Sequence, residues 1–225
     1  KKHTISNTEF SKMYIVSNDD YRHYFSGGLG GELDKTFDSL SQRAIMLRPP
    51  VMPVINELKK VKMATVNPEK AAAESNVAPK KRGFVFNGIR GSGKSAVLAT
   101  VVHHAFKQRF LVFYIPSARY WTHGIHFVEP SPLLQGYFDA PYAETEFLKH
   151  FQAANDEILK SMNLSKDHDL PLEAGQKQPT TLYDLITYGL SLETNIPVVF
   201  KLLMDELLHN TTYVKKHEKN NLYMC

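Results

Sequence analysis

Apolar residues recur at three- and four-residue spacing in several stretches of the chain, a pattern typical of helices that bury one face. Between Leu33 and Leu47 the spacing continues through Phe37 and Leu40, until Arg48-Pro49-Pro50 ends it. The same pattern predicts helices over residues 33–47, 53–63, 94–109, 142–162 and 180–210, the last of them broken near residues 195–197. The N-terminal residues predict an extended arm, while residues 64–82 and 163–179 predict exposed loops.

Two continuous apolar runs flank the predicted helix over residues 94–109. Residues 83–87 and 110–115 each predict a short strand that is buried on both faces. Such strands around a crossover helix are typical of a parallel sheet with helices on its faces, joined by a right-handed connection. The sequence therefore predicts an α/β fold, and we expect the sheet to continue in residues after 225.

A glycine-rich loop lies between the first predicted strand and this helix. It reads Gly88-Ile89-Arg90-Gly91-Ser92-Gly93-Lys94-Ser95 and matches G-x-x-x-x-G-K-S, the phosphate-binding loop. Glycine lets the backbone curl with its N–H groups toward a phosphate, and the helix N-terminus adds positive potential. Lys94 can reach the β- and γ-phosphates, and the Ser95 hydroxyl can ligate Mg²⁺.

The loop predicts a P-loop NTPase-like parallel sheet flanked by helices, with a nucleotide and Mg²⁺ bound to it. Residues 83–225 are the predicted nucleotide-binding domain, and residues 1–82 supply the arm, two helices and a linker. The residues expected to contact the nucleotide are Gly88, Arg90, Gly91, Ser92, Gly93, Lys94, Ser95 and Ala96, with Ser95 also the expected metal ligand. The motif leaves hydrolysis open, and no catalytic residue is assigned.

Composition narrows the class of protein only slightly. The net charge of +4 is compatible with a nucleic-acid partner and equally with an ordinary soluble protein. The single cysteine, Cys225, excludes a disulfide within this chain. No run of 18 apolar residues is present, so we expect no membrane span.

A second nucleotide-site motif is suggested by the sequence from Val198 to Glu206. Four apolar residues followed by Asp is the usual form of a Mg²⁺-binding strand, so Asp205 and Glu206 are candidates for metal binding and water activation. Lys201 interrupts the apolar run, however, and the apolar positions follow helical spacing. Leu, Met and Glu also favour helices over strands. We therefore predict that Asp205 lies on a helix and is not the magnesium ligand.

Several motifs together resemble the death-associated protein 3 family, the P-loop proteins of the mitochondrial ribosomal small subunit. They are the loop itself, Ile115-Pro116-x-Ala118-x-x-Trp121, Phe138-Asp139-x-Pro141, Phe147-Leu148-Lys149-x-Phe151 with Asn155, and upstream Met46-Leu47-Arg48-Pro49-Pro50. The two pieces after the second strand are more particular than the loop, which many P-loop proteins share.

The resemblance implies a structural protein of the small-subunit head in the mitochondrial matrix. It implies a bound purine nucleotide, GTP or GDP with ATP possible, and contacts with ribosomal RNA and neighbouring mitoribosomal proteins. It also implies a bridge to the large subunit. In the family the Asp-bearing strand follows the segment that matches 198–208, which agrees with a helical Asp205.

Two other functions stay open from the sequence. An active GTPase or ATPase switch would need a catalytic acid and a water-positioning group, and neither is identified here. A nucleotide kinase would need an arginine-rich lid, for which Arg119 alone does not suffice. We therefore expect turnover to be weak or absent and the nucleotide to stabilise the folded protein.

Overall fold

The computed structural model describes residues 11–30, 32–66, 83–124, 127–131, 135–172, 176–209 and 221–224. Over these residues the fold is mixed α/β. The chain divides into two compact units, one formed by residues 1–116 with 214–225 and the other by residues 117–213. The predicted boundary after residue 82 follows residues 67–82, which lie outside the described part, and it stays a prediction.

Helices account for most of the regular structure in the described residues. In chain order, the first unit contains β1 (Met13–Ile15), α1 (Asn18–Tyr24), α2 (Glu32–Leu40), β2 (Ala44–Met46), α3 (Val51–Val66), α4 (Lys94–Lys107) and β3 (Phe110–Phe113). The second contains β4 (Glu129–Pro130), β5 (Phe138–Asp139), α5 (Pro141–Ala154), α6 (Asp156–Ser161), α7 (Leu182–Ser191) and α8 (Ile196–His209). The last strand, β6 (Asn221–Met224), belongs to the first unit again. None of these helices is long and apolar enough to cross a bilayer, within the described residues.

The pairing of β1 with β2 corrects the helix predicted over residues 33–47. The two strands are antiparallel with Tyr14 opposite Ile45, and both of these side chains are buried. The helix ends at Leu40, and Ser41 adopts a left-handed conformation with φ of 51°. Residues 44–46 then form β2, because pairing with a strand far away in the sequence outweighs the local helical period.

The segment after the glycine-rich loop folds as predicted, in slightly shorter elements. Helix α4 buries Val97, Val101 and Val102 among others, and all four residues of β3 are buried. β3 pairs in parallel with β6, with Leu111 opposite Leu222. This is the single parallel pair among the described strands, and the small pairs β1–β2 and β4–β5 are antiparallel.

The strand predicted over residues 83–87 is wrong. The described residues 83–88 form neither helix nor strand, and the side chain of Val85 is 92% exposed. A strand inside a parallel sheet needs a neighbour for its backbone N–H and C=O groups. The described part of the chain pairs no strand with this segment, so its apolar composition alone does not make it a strand.

The second unit is built around helices α5 to α8. Its most buried apolar side chains come from all four helices: Leu148, Leu159, Leu182, Leu185, Ile186, Ile196, Val199 and Leu203. The helix predicted over residues 142–162 is interrupted at Asn155, whose side-chain amide donates to the carbonyl oxygen of Phe151 at 2.9 Å. The predicted break near residues 195–197 is confirmed, because a short 3₁₀ turn (Glu193–Asn195) separates α7 from α8.

Candidate nucleotide-binding site

The glycine-rich loop owes its shape to glycines with positive φ. Gly91 has φ of 83°, and Gly93 has φ of 82° and ψ of 21°, in the left-handed region where side chains are disfavoured. Gly93 directly precedes α4 and occupies the N-cap position of that helix. The chain therefore turns sharply at Gly93, so that the loop ends at the N-terminus of α4, where backbone N–H groups point outward from the helix.

Lys94 folds back across this loop from the first residue of α4. Its ammonium group donates to the carbonyl oxygens of Gly88 and Ile89, each at 2.9 Å, and lies 3.5 Å from the hydroxyl of Ser92. Within the loop itself, the N–H of Ser92 donates to the carbonyl of Ile89 at 3.2 Å. The positive charge of Lys94 is thus held over the turn and beside the helix N-terminus, an arrangement that favours an anion.

The other predicted contact residues lie on the same short segment. Arg90 is exposed at the turn, and the side chain of Ser95 is exposed in the first turn of α4. Ala96 is half-buried, and its carbonyl accepts a hydrogen bond from the Thr100 hydroxyl at 2.9 Å. The residues present therefore fit a phosphate group, with glycine backbone, a lysine and an accessible hydroxyl at one helix end.

Arg48 is the residue at this site that sequence reasoning did not assign. It lies between β2 and α3, and its Nη1 donates to the carbonyl oxygen of Ser92 at 2.6 Å. Its guanidinium also lies against Gly93, since a Cβ at that glycine would be 2.6 Å from Nη1 and 2.8 Å from Cζ. The sequence signal at this position is the Arg-Pro-Pro segment, which predicts the end of a helix and forms part of a family motif.

The second candidate motif has a different structure. Asp205 and Glu206 lie on α8, with Val199, Leu203 and Leu207 on its buried face, so the prediction of a helix is confirmed. Asp205 is exposed, whereas Glu206 is 2% exposed. In the described part of the chain, no group of three or more His, Cys, Asp or Glu residues could hold a metal ion.

Glu206 instead forms hydrogen bonds between α8 and the loop that contains Ser165 and His168. Its carboxylate accepts hydrogen bonds from the backbone N–H of Ser165 at 3.0 Å and from the Ser165 hydroxyl at 2.8 Å. Nε2 of His168 lies 2.8 Å from the same carboxylate. We call Glu206, Ser165 and His168 the Glu206 cluster. Because both carboxylate oxygens are engaged inside the protein, the cluster has a structural role.

The sequence also matches a model of a known protein family. Residues 61–219 match the family model described as mitochondrial ribosomal death-associated protein 3. The chain belongs to this family. The matched range contains the whole glycine-rich loop and the whole second unit, so the resemblance expected from the sequence motifs is confirmed.

Three relatives carry the name small ribosomal subunit protein mS29. The chain is 21% identical to the protein of Bos taurus and 20% identical to that of Mus musculus, over 86% of its own length in both cases. It is 30% identical to the Neurospora crassa protein over 49% of the chain. The chain covers 45% of the bovine relative, 46% of the mouse relative and 24% of the fungal one, less than half of each.

Proposed function

We propose that the loop from Gly88 to Ser95 binds the phosphates of a purine nucleotide, GTP or GDP with ATP as the alternative. The observation that carries this proposal is the placement of Lys94, whose ammonium spans the carbonyls of Gly88 and Ile89 at the start of α4. A phosphate has stronger acceptors than a peptide carbonyl, so it would replace these carbonyls as the partner of Lys94.

The nucleotide would be held mainly by backbone and by one cation. The N–H groups at the start of α4 and the ammonium of Lys94 would bind phosphate oxygens, and the exposed hydroxyl of Ser95 would ligate Mg²⁺. The metal ion would neutralise phosphate charge when bound. β3 follows α4 directly in the sequence and pairs in parallel with β6. This pairing supports the further proposal that the strands are part of a P-loop NTPase-like sheet.

Titration calorimetry of the purified protein with GTP, GDP and ATP, each with Mg²⁺, tests this nucleotide site. We expect Lys94→Ala to weaken binding at least 100-fold, since a charged hydrogen-bond donor to phosphate is removed. The matched control is Lys35→Ala on α2, where the lysine side chain is exposed and lies 3.5 Å from Glu32 in the same helix. Binding of equal strength in both variants would reject Lys94 as a phosphate ligand.

We further propose that the protein is a structural component of the mitochondrial ribosome, in the head of its small subunit. Membership of the family and the names of the bovine and mouse relatives support this role. The partners would be ribosomal RNA of the small subunit, neighbouring mitoribosomal proteins and, through a bridge, the large subunit. Its location would then be the mitochondrial matrix.

Sedimentation of mitochondrial lysate tests the ribosomal role. A tagged version of the full-length protein should migrate with the small subunit in a sucrose gradient and leave that fraction when the subunit is dissociated. Replacing it by the Lys94→Ala variant should reduce the amount of assembled small subunit, while Lys35→Ala should not. A tagged protein that stays at the top of the gradient would contradict the proposal.

In this role the nucleotide stabilises the fold and is not turned over. At a concentration about 1,000 times its dissociation constant, a ligand adds about 4 kcal/mol to the free energy of unfolding. Asp205 and Glu206, the two candidates for metal binding and water activation, lie on a helix and not at the end of a strand. Release of phosphate by the purified small subunit at a rate coupled to translation would favour an active GTPase instead.

A further inference from the structure

We propose that Arg48 is a positioning residue for the phosphate-binding loop. It would act by holding the peptide group between Ser92 and Gly93 in one orientation. This inference rests on the proposed nucleotide site and adds a residue that lies far from the loop in the sequence.

The backbone on either side of Arg48 is fixed. Leu47 donates its N–H to the carbonyl of Lys12 at 3.0 Å and accepts from the N–H of Ser11 at 3.2 Å, so it continues the β1–β2 pairing. The carbonyl of Arg48 accepts from the N–H of Val51 at 3.2 Å, at the start of α3. The arginine thus extends from an anchored backbone, so the contact with Ser92 has only the side-chain rotamers left to fix.

The contact with Ser92 controls a second group through the planarity of the peptide bond. In a trans peptide the C=O of one residue and the N–H of the next point in opposite directions. Because Nη1 of Arg48 holds the Ser92 carbonyl at 2.6 Å, the N–H of Gly93 must point away from Arg48. That N–H is one of the backbone donors that a phosphate in the loop would use.

Gly93 makes this arrangement possible. Any Cβ at this position would lie 2.8 Å from the guanidinium carbon of Arg48, so only glycine lets the planar group approach the backbone so closely. This steric requirement applies to Gly93 and not to Gly91 in the same loop, since a Cβ at Gly91 would meet no heavy atom within 4 Å. A lysine could keep the charge at position 48 but has no planar group to lie against Gly93.

The test compares Arg48→Gln with Arg43→Gln, which removes an arginine from the opposite end of β2. Nη1 of Arg43 donates to the side chain of Asn18 at 2.5 Å, and the guanidinium lies over the ring of Tyr21. Both of these partners lie on α1 and neither belongs to the phosphate-binding loop. We expect Arg48→Gln to weaken GDP binding about tenfold, which is about 1.4 kcal/mol, and to reduce the preference for GDP over GMP. Arg48→Lys should restore only part of that loss, and Arg43→Gln should bind GDP within about twofold of the wild type.

A second measurement needs no nucleotide. In ¹H–¹⁵N spectra of the protein alone, Arg48→Gln should shift the Gly93 amide resonance and speed its hydrogen exchange, whereas Arg43→Gln should leave it unchanged. If wild-type protein binds GDP and both variants match it in affinity and in the Gly93 amide, Arg48 has no positioning role and the nucleotide site stands. If wild-type protein binds neither GTP, GDP nor ATP, the proposed site itself is rejected, and this inference with it.

Discussion

The glycine-rich loop and the Glu206 cluster both contain residues that nucleotide-hydrolysing proteins use, and the structure places them in opposite environments. The side chains of Arg90 and Ser95 are exposed, and the ammonium of Lys94 donates to carbonyl oxygens of its own loop. Glu206 is buried and its carboxylate is bonded to Ser165 and His168. A short motif therefore predicts ligand chemistry only where its polar groups stay accessible to a ligand.

The largest effect that would test this difference is expected from Glu206→Ala. Removing this buried carboxylate leaves the N–H and hydroxyl of Ser165 and the largely buried ring of His168 without that acceptor, and should lower the free energy of unfolding by about 3 kcal/mol. Urea unfolding followed by Trp121 fluorescence measures it, because the only tryptophan of the chain lies in the same unit.

The neighbouring Asp205→Ala variant is the matched control for Glu206→Ala. Asp205 is exposed on the same helix, so its loss should change the free energy of unfolding by no more than about 0.5 kcal/mol. Neither variant should alter the affinity for nucleotide. A loss of Mg²⁺-dependent nucleotide binding in Asp205→Ala would contradict this expectation and would indicate that Asp205 is a metal ligand.

The next largest effect concerns the shape of the loop. Gly93→Ala should lower the free energy of unfolding by about 2 kcal/mol, because it combines a left-handed backbone with a Cβ 2.6 Å from Arg48. Gly91→Ala has nearly the same φ but open space, so it should cost only about 1 kcal/mol. Circular dichroism during chemical unfolding, without nucleotide, measures both. Equal losses would mean that Arg48 moves aside without cost.

A pH-dependent effect is expected at Asp20, which contacts α4 further along the helix. Burial alone would raise the pKa of Asp20, but the hydrogen bond from Lys107 and the nearby His103 outweigh it and hold the pKa below its usual 3.8. Lys107 lies 2.9 Å away and His103 Nε2 3.2 Å away. The ionised form therefore stabilises the fold above about pH 3.8, and this contribution is lost as the pH falls through the lower, folded-state pKa.

Asp20→Asn measures that contribution. At pH 7 it should lower the free energy of unfolding by about 1 kcal/mol, and the difference from wild type should shrink as the pH falls below 3.8. Asp19→Asn is the control, since Asp19 is exposed in the same first turn of α1. A difference that stays constant down to pH 2 would show that the carboxylate charge is not the cause.

The smallest effect on stability is expected at Ser95. Because this hydroxyl is exposed, Ser95→Ala should change the free energy of unfolding by no more than about 0.5 kcal/mol. It should nonetheless raise the Mg²⁺ concentration needed for nucleotide binding, since the proposed metal ligand is gone. Titration of nucleotide at several Mg²⁺ concentrations measures this shift. Unchanged Mg²⁺ dependence would remove Ser95 from the site.

Local signals in the sequence predicted the parts of the fold that depend on local interactions. Helix α4 follows from a glycine turn and an apolar run, and α8 follows from the spacing of Val199, Leu203 and Leu207. The apolar run before the glycines was a weaker signal. It could not show whether a neighbouring strand would pair with residues 83–87, and Val85 is in fact exposed.

Contacts between distant residues could not be predicted in the same way. β2 forms because Ile45 pairs with Tyr14, and Arg48 reaches the loop because of where β2 ends. Both depend on partners at least 30 positions away, which no local period encodes. The glycine-rich loop of the candidate site could therefore be predicted from the sequence, whereas the contact from Arg48 could be identified only in the structure.

The parallel pairing of β3 with β6 has a consequence for folding during synthesis. The partner of Phe110–Phe113 begins only at Asn221, and the whole second unit lies between them in the sequence. At a translation rate of about 5–20 residues per second, β3 waits roughly 5–20 s for its neighbour. During that time the backbone N–H and C=O groups on this side of β3 lack the strand with which they pair in the folded protein. The first unit can therefore be completed only after the whole second unit has been synthesised.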